Sequence, residues 1–185
     1  MDDEQLIART RRGELEAYSQ LVARHRPEVH RIAARIVGPD DADDVTQDTF
    51  LRAFNALDRF RGDASFRTWV LRIAHNTAIN TLAKRRAIPV DEVPEPAGDS
   101  APKVRSPADL LESGERQERL LHKIGLLRHD YQVVVVLRDV EELDYNEIAD
   151  ILDCPIGTVK TRLHRARALL IDMLRNNTYD WELPA

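Results

Sequence analysis

A segment near the end of the chain carries basic side chains and no acidic one. Between Cys154 and Ile171 there are four Lys and Arg residues and neither Asp nor Glu. In a helix, three- and four-residue spacing would gather its apolar residues on one face, namely Val159, Leu163, Ala166 and Leu170. A polar face would hold Thr158, Thr161, Arg162 and Arg165, and between the two faces would lie Lys160, His164 and Arg167. Such a helix can pair arginine with guanine and lysine with phosphate in DNA.

A short helix is predicted directly before this segment. Asp144 and Glu147 have the spacing of a capping box, which predicts a helix from there to Leu152. Residues 153–154 then form a turn, and Pro155 suits the first position of the next helix. The pair predicts a helix-turn-helix whose second helix enters the major groove. The alternative is an ordinary helical hairpin with a solvated basic face. The absence of acidic residues from the segment favours DNA binding over this alternative.

A second group of polar residues lies in the first half of the chain. Arg72, Asn76 and Asn80 repeat every four residues and therefore share one face of a helix. Trp69 lies on the neighbouring edge, and arginine and amide side chains beside an aromatic ring can stack on and hydrogen-bond to unpaired bases. The alternative places Trp69 and Phe66 in the core, which is the commoner position for large aromatic residues, and leaves the asparagines solvated.

Helices are predicted to position both groups. Apolar periodicity predicts helices over residues 15–37, from 40 to about 57 and from 66 to about 86. Pro27 predicts a kink or the start of a new helix inside the first of them. Ser65 has the residue type of an N-cap for the third helix, which follows a loop. The four consecutive valines at 133–136 fit a buried strand or a helix, and their helical surroundings favour a helix.

Charge and proline divide the chain into segments. The chain has 27 Lys and Arg residues against 32 Asp and Glu residues, a net charge of −5. Residues 87–106 are acidic, rich in proline and without helical or strand periodicity, which predicts a flexible linker. The sequence therefore predicts an all-α protein with two small helical domains, residues 1–86 and 107–176, joined by this linker and followed by a tail, residues 177–185.

Composition and motif content narrow the function classes. A single cysteine excludes an internal disulfide, no apolar run approaches the roughly 18 residues of a membrane helix, and the acidic start is unlike a signal peptide. We therefore expect a soluble, cytoplasmic protein without membrane insertion. No nucleophile, phosphate-loop or metal-ligand motif is present, so we expect no enzyme, small-molecule substrate, cofactor or metal. Since acid is concentrated in the linker and tail, the net charge predicts weak DNA binding by the free chain rather than none.

Three ordered stretches resemble the extracytoplasmic-function (group IV) sigma factors of bacterial RNA polymerase. Residues 43–54, which begin Asp-Asp-Val-Thr-Gln-Asp-Thr-Phe, resemble the region 2.2 helix. Residues 60–76 resemble regions 2.3 and 2.4, and residues 144–170 resemble region 4.2. The Phe-Arg-Gly-Asp loop and the Asp-Cys-Pro-Ile-Gly-Thr-Val run are similar to the envelope-stress, sigma-E-like branch. The leucine–proline pair that is typical of the family where the middle helix of the second domain begins is absent here, at residues 126–129.

The resemblance implies a sigma factor that binds core RNA polymerase, through the β′ clamp helices and the β flap, and directs initiation at promoters of stress-response genes under anti-sigma control. The implied polymerase-docking residues are Asp44, Gln47, Asp48, Phe50, Leu51 and Arg52. Those implied for the single-stranded −10 element are Phe60, Arg61, Gly62, Asp63, Ala64, Ser65, Trp69, Arg72, Asn76 and Asn80. Those implied for the duplex −35 element are Thr158, Lys160, Thr161, Arg162, His164, Arg165 and Arg167.

A free-standing helix-turn-helix regulator with an N-terminal helical sensor domain is the alternative function. Residues 40–76 separate the two hypotheses, because a sensor domain has no reason to carry both the docking-helix pattern and the promoter-melting loop pattern.

Overall fold

In a computed structural model of the protein, residues 1–87 and 120–175 are described, and within them the secondary structure is helical, without a strand. The predicted linker beyond its first residue, the predicted start of the second domain at residue 107 and the predicted tail lie outside the described residues. None of the helices within the two described ranges has the length and apolar character of a membrane span.

The N-terminal unit contains four α-helices and one short 3₁₀ turn. They are α1 (Asp3–Arg11), α2 (Leu15–Val37), α3 (Pro39–Ala56), the turn Leu57–Arg59 and α4 (Phe66–Ala87). The three helices predicted here are confirmed. The first helix was not predicted, although its capping box is visible in the sequence: Asp2 accepts a 2.8 Å hydrogen bond from the Gln5 amide, and the Gln5 side chain accepts a 3.2 Å bond from the Asp2 amide.

The long helix α2 continues through Pro27 as one element, so of the two alternatives predicted there, a kink or a new helix, the new helix is wrong. Proline removes one backbone donor, and the carbonyl four residues earlier, of Ala23, loses its helical partner. Both Pro27 and Ala23 are exposed. Water can therefore satisfy that carbonyl, and the buried face of α2 holds the helix together across the proline.

The core of this unit lies where α2, α3 and α4 meet. Its fully buried side chains come from the apolar stripes of these helices and from α1, and they include Leu6, Leu21, Ile32, Val45, Val70 and Leu71. Gly38, with φ near 90°, reverses the chain between α2 and α3, a conformation that strains residues with a Cβ atom. The reversal lets Pro39 begin α3 directly.

The C-terminal unit is a second set of short helices. Residues 120–125 are helical and are followed by a turn. The later elements are α5 (His129–Val135), a π-helical turn (Val136–Val140), α6 (Tyr145–Leu152) and α7 (Ile156–Arg175). The four valines are buried in α5 and the π turn, which confirms the helical prediction. The middle helix begins at His129 without a proline before it.

A tight turn joins α6 and α7 into the predicted helix-turn-helix. Asp144 accepts bonds from the Asn146 and Glu147 amides at 2.7 and 2.9 Å, and Glu147 accepts from the Asp144 amide at 3.1 Å, so the capping box is confirmed. Asp153 ends α6 in the left-handed region, with φ near 50°. Pro155 precedes the first residue of α7 rather than occupying that position.

Candidate protein- and nucleic-acid-binding sites

An exposed apolar groove of about 710 Å³ lies between α2 and α3. Its most exposed apolar residues are Leu15, Leu51 and Phe54, which are 65%, 57% and 40% exposed. Arg26 and Asp43, paired at 3.3 Å, lie at the edge of the groove. A groove that exposes apolar side chains beside a polar rim is typical of a site that another protein covers.

Of the six residues predicted to dock polymerase, three line this groove and the other three lie elsewhere on α3. Gln47 and Leu51 line it, and Phe50 is its floor, since its side chain is only 6% exposed and its carbonyl accepts a bond from the Tyr18 hydroxyl. Asp44 is exposed and does not line the groove. Asp48 and Arg52 pair with each other at 2.9 Å one helical turn apart.

Sequence reasoning missed the contribution of α2 to the groove. Leu15, Tyr18 and Val22 line its second wall, and the Tyr18 ring meets the Phe54 ring edge-to-face with centroids 4.9 Å apart. The available signal was an apolar residue outside the buried stripe of its helix. Leu15 is such a residue, but its neighbours across the groove belong to another helix.

The loop over residues 60–65 is fixed at both ends. Ser65 accepts a 3.0 Å bond from the Thr68 amide, which confirms it as the N-cap of α4. At the other end, the Arg11 guanidinium donates to the carbonyls of Leu57 and Phe60 at 2.8 and 2.5 Å. Between these anchors the exposed residues Arg61, Gly62 and Asp63 turn the chain, and Gly62 has φ near 81°, where a Cβ atom would be strained.

We expect Arg11→Ala to lower the free energy of unfolding by about 1–2 kcal/mol, because it removes the side-chain donor that the Leu57 and Phe60 carbonyls share, although the Leu57 carbonyl keeps a 3.1 Å bond from the Phe60 amide. Urea denaturation of the full chain measures the change. Arg12→Ala is the matched control, since Arg12 is 67% exposed and has one 3.5 Å contact to Glu14. Equal effects of the two substitutions would contradict an anchoring role for Arg11.

Three aromatic rings, those of Phe60, Phe66 and Trp69, pack together at the loop. The Phe60 centroid lies 5.0 Å from the Trp69 centroid, and the Phe66 centroid lies 5.7 Å from it. The alternative that places both rings in the core holds for Phe66, which is buried. Trp69 is only half-buried. Beside Trp69 the loop borders a cleft of about 360 Å³, into which Arg72 of α4 and Asp150 of α6 also reach.

The predicted polar face of α4 is present. Asn76 and Asn80 are exposed, and Arg72 is 39% exposed in its side chain. Loop, Trp69 and this face form one continuous surface, which we call the loop–α4 surface and which comprises the ten residues predicted for the −10 element. Arg67, at the start of α4, pairs with Glu28 of α2 and with Glu147 of α6. The bond to Glu28 is the main cause that raises the pKa of Arg67.

Helix α7 has the faces that its sequence predicts. Val159, Leu163, Ala166 and Leu170 are buried. Of the polar residues, Lys160, Thr161, His164 and Arg165 are exposed, and Thr158 and Arg162 are half-buried. Arg167 is exposed but pairs with Asp139, its Nε lying 3.0 Å from the carboxylate. The basic face therefore keeps free donors in its first three turns, where a recognition helix contacts base edges.

Two histidine side chains lie within contact distance of a carboxylate of the protein itself. His25 lies 2.8 Å from Asp3, and His30 lies 3.5 Å from Asp43. In residues 1–87 and 120–175, no three His, Cys, Asp or Glu side chains are grouped so as to hold a metal ion.

Comparison with known proteins assigns the family. Residues 21–88 match Sigma-70 region 2, and residues 117–170 match Sigma-70, region 4. The ECF RNA polymerase sigma-E factor of Salmonella typhimurium is 37% identical over 174 residues, 90% of this chain and 91% of that protein.

Two solved structures share the fold. CnrH in complex with the cytosolic domain of CnrY matches with a TM-score of 0.70 and 30% identity, over 95% of this chain and 98% of that one. The sigma factor RpoE in complex with the anti-sigma factor NepR from Bartonella quintana matches with a TM-score of 0.64 and 23% identity, over 85% and 96%. The chain therefore belongs to the extracytoplasmic-function (ECF) family of RNA polymerase sigma factors.

Proposed function

We propose that this sigma factor divides promoter-directed initiation among three surfaces. The α2–α3 groove binds core RNA polymerase, the loop–α4 surface binds the single-stranded −10 element, and the basic face of α7 binds the duplex −35 element. The domain boundaries at residues 86 and 107 belong to the same proposal. Its main support is that one chain presents an exposed apolar groove, a polar face beside an aromatic cluster, and a helix-turn-helix whose second helix is acid-free until its last turn.

The chemistry of each surface matches the chemistry of its proposed ligand. Leu15, Leu51 and Phe54 offer the groove's partner apolar contact, which suits a protein rather than DNA. Trp69 and Asn76 offer stacking and hydrogen bonds, which unpaired bases can use and a closed duplex cannot. Arg162 and the basic residues around it offer hydrogen-bond donors, and guanine presents matching acceptors in the major groove.

The proposal is tested by co-purification with core polymerase followed by run-off transcription from a library of random promoters. We expect a stable holoenzyme and enrichment of templates that share two short elements at a fixed separation. A chain that does not bind core polymerase would refute the proposal outright. A free-standing regulator, the alternative function, would instead bind a DNA fragment in the absence of polymerase.

Control by an anti-sigma factor is part of the proposal. In its crystal structure the similar RpoE is bound to the anti-sigma factor NepR. The exposed apolar side chains of the α2–α3 groove give such an inhibitor the same contact area that polymerase would use. An anti-sigma factor that binds here is expected to compete with core polymerase, so that each partner displaces the other in a pull-down experiment.

Asn80→Ala is expected to slow formation of the open complex about fivefold to thirtyfold, because Asn80 is exposed on α4 where its amide can hold an unpaired base, a hydrogen bond that contributes about 1–2 kcal/mol. Permanganate footprinting of a linear promoter in the holoenzyme measures the rate. On a template whose −10 region is mismatched, and therefore already open, most of the defect should disappear.

Gln20→Ala is the matched control for this prediction, since it removes an amide from an exposed position on α2, outside the loop–α4 surface. An Asn80→Ala holoenzyme that opens the linear promoter at the rate of the Gln20→Ala holoenzyme would show that Asn80 has no part in melting.

A further inference from the structure

Helix α1 lies outside the residues that match Sigma-70 region 2, which begin at residue 21. It is nevertheless part of the core of the N-terminal unit, because Leu6, Ile7 and Thr10 are buried on one side of the helix. The Thr10 hydroxyl donates a 2.8 Å bond to the Leu6 carbonyl, which satisfies this buried polar group within the helix. Helix α1 is therefore fixed to the unit, and side chains at its edge can hold neighbouring segments in place.

The C-terminal end of α1 holds the start of the loop over residues 60–65. One nitrogen of Arg11, Nη2, donates to both the Leu57 and the Phe60 carbonyl, at 2.8 and 2.5 Å. Leu57 is buried, so the core fixes its position, and the Phe60 amide closes the short 3₁₀ turn by a 3.1 Å bond to the same carbonyl. Arg11 therefore ties the first residue of the loop to a point that the core holds still.

The N-terminal end of α1 supports the residue that follows the loop. The Asp3 carboxylate lies 2.8 Å from Nε2 of the buried His25 and also pairs with Arg24. The His25 ring packs on the Phe66 ring with centroids 5.3 Å apart, and Phe66 begins α4 directly after the loop. Both ends of the loop are thus connected to α1, one through Arg11 and the other through His25.

Between these two contacts, a cleft of about 740 Å³ separates α1 from the loop. Arg11 lies on the α1 side of the cleft, and Arg61 and Gly62 lie on the loop side. The α1 side also carries three carboxylates, those of Asp2, Asp3 and Glu4. Because like charges repel, we expect the phosphates of a bound strand to pass along the outer side of the loop rather than along α1. Arg11 therefore acts on the loop from its inner side.

We propose that Arg11 is a positioning residue for −10 recognition, because it fixes the loop in the shape that distinguishes one base of the single strand from another. The inference rests on the proposed role of the loop in −10 binding. Arg61, Gly62 and Asp63 are exposed, so burial does not hold the loop and its anchored ends must. Polar groups of a loop discriminate between bases only when they are held at fixed distances from the base edge, and a loop ordered in advance loses little freedom on binding.

The test uses the holoenzyme and the promoter most enriched from the random library, with its −10 region mismatched so that the strands are already open. Each position of the −10 and −35 elements is substituted in turn. Competition binding at several salt concentrations then gives the discrimination between the preferred base and the other three. Because the template is open from the start, the measurement reports base recognition rather than the rate of melting.

We expect Arg11→Ala to lower discrimination about fivefold to tenfold at one or two adjacent positions of the −10 element, and to leave discrimination in the −35 element unchanged. The salt dependence of binding should also stay the same, because Arg11 orders the protein rather than neutralising a phosphate. Arg12→Ala is the charge-matched control, and Ile32→Val is the stability-matched control, since it shortens a buried side chain of α2 that lines neither cleft at the loop. Both controls should discriminate as the wild type does.

Wild-type discrimination by Arg11→Ala at every −10 position would overturn the inference and leave the proposed function standing. A loss that is equal for all bases, with a salt slope lower by about one, would overturn it in favour of a phosphate contact. An equal loss of discrimination in Ile32→Val would overturn it in favour of general destabilisation. If the wild-type holoenzyme discriminates at −35 positions but at no −10 position, the proposed function of the loop itself fails, and the inference fails with it.

Discussion

Leu51→Asp is expected to weaken binding to core RNA polymerase by about 2 kcal/mol or more, about thirtyfold, which is the size of effect found at the centre of protein interfaces. Leu51 is 57% exposed and lines the α2–α3 groove between Gln47 and Phe54. Because its side chain already faces water, aspartate at this position costs little stability in the free chain. In the complex the same carboxylate would be buried against an apolar partner without a counter-ion. Titration of labelled core polymerase, followed by fluorescence anisotropy, measures the affinity.

Gln20→Asp is the control for this prediction. It adds the same negative charge to the same domain, at an exposed position of α2 that does not line the groove. If the loss in Leu51→Asp came from net charge alone, the two variants would bind polymerase equally weakly. Wild-type affinity of Leu51→Asp, with an unchanged circular dichroism spectrum, would show that polymerase docks elsewhere.

Local features of this fold were predictable because each depends on residues close together in the sequence. The capping box of α6 needs only Asp144 and Glu147, and the N-cap of α4 needs only Ser65 and the Thr68 amide. The buried stripe of α7 follows from the helical period alone. Family resemblance then supplied functions for surfaces that these local patterns could place on a helix face but could not interpret.

Features that depend on distant contacts were not predictable from the pattern. Arg11 anchors a loop that begins more than 40 residues later, through the carbonyl of Leu57, and no residue type near Arg11 indicates that partner. The groove needs Leu15 and Phe54 to face each other across two helices. Pro27 shows the opposite case: a local rule predicted a kink or a new helix, and the buried face of α2 keeps one continuous helix across the proline.

The distribution of charge has a consequence that its sum does not show. From segment charges alone, the weak DNA binding expected of the free chain follows from acid in the linker and tail. The structure adds a specific source of acid, since Glu147 and Asp153 of the helix-turn-helix lie against Arg67 and Arg72 of the other unit. Acidic residues therefore lie beside the proposed −10 surface as well as in the linker and tail.

Arg162→Ala is expected to cost about 1–3 kcal/mol of promoter binding by the holoenzyme and to relax the preference at one position of the −35 element. Arg162 lies on the polar side of α7, whose opposite side is buried, so it faces away from the core of its own unit. Its fork of donors can pair with both acceptors of guanine, a contact that alanine removes and no neighbouring side chain replaces. Binding of the holoenzyme to promoters substituted one base pair at a time in the −35 element measures both effects.

Arg162→Lys decides between base contact and phosphate contact. Lysine keeps the positive charge but loses the planar fork, so it should restore much of the affinity for a phosphate and little of the preference for a base. We therefore expect Arg162→Lys to remain relaxed at the position that Arg162→Ala relaxes. Arg175→Ala, an exposed arginine in the last turn of α7, should leave that preference intact. A uniform loss on every substituted promoter, restored by lysine, would refute direct base recognition and reassign Arg162 to the DNA backbone.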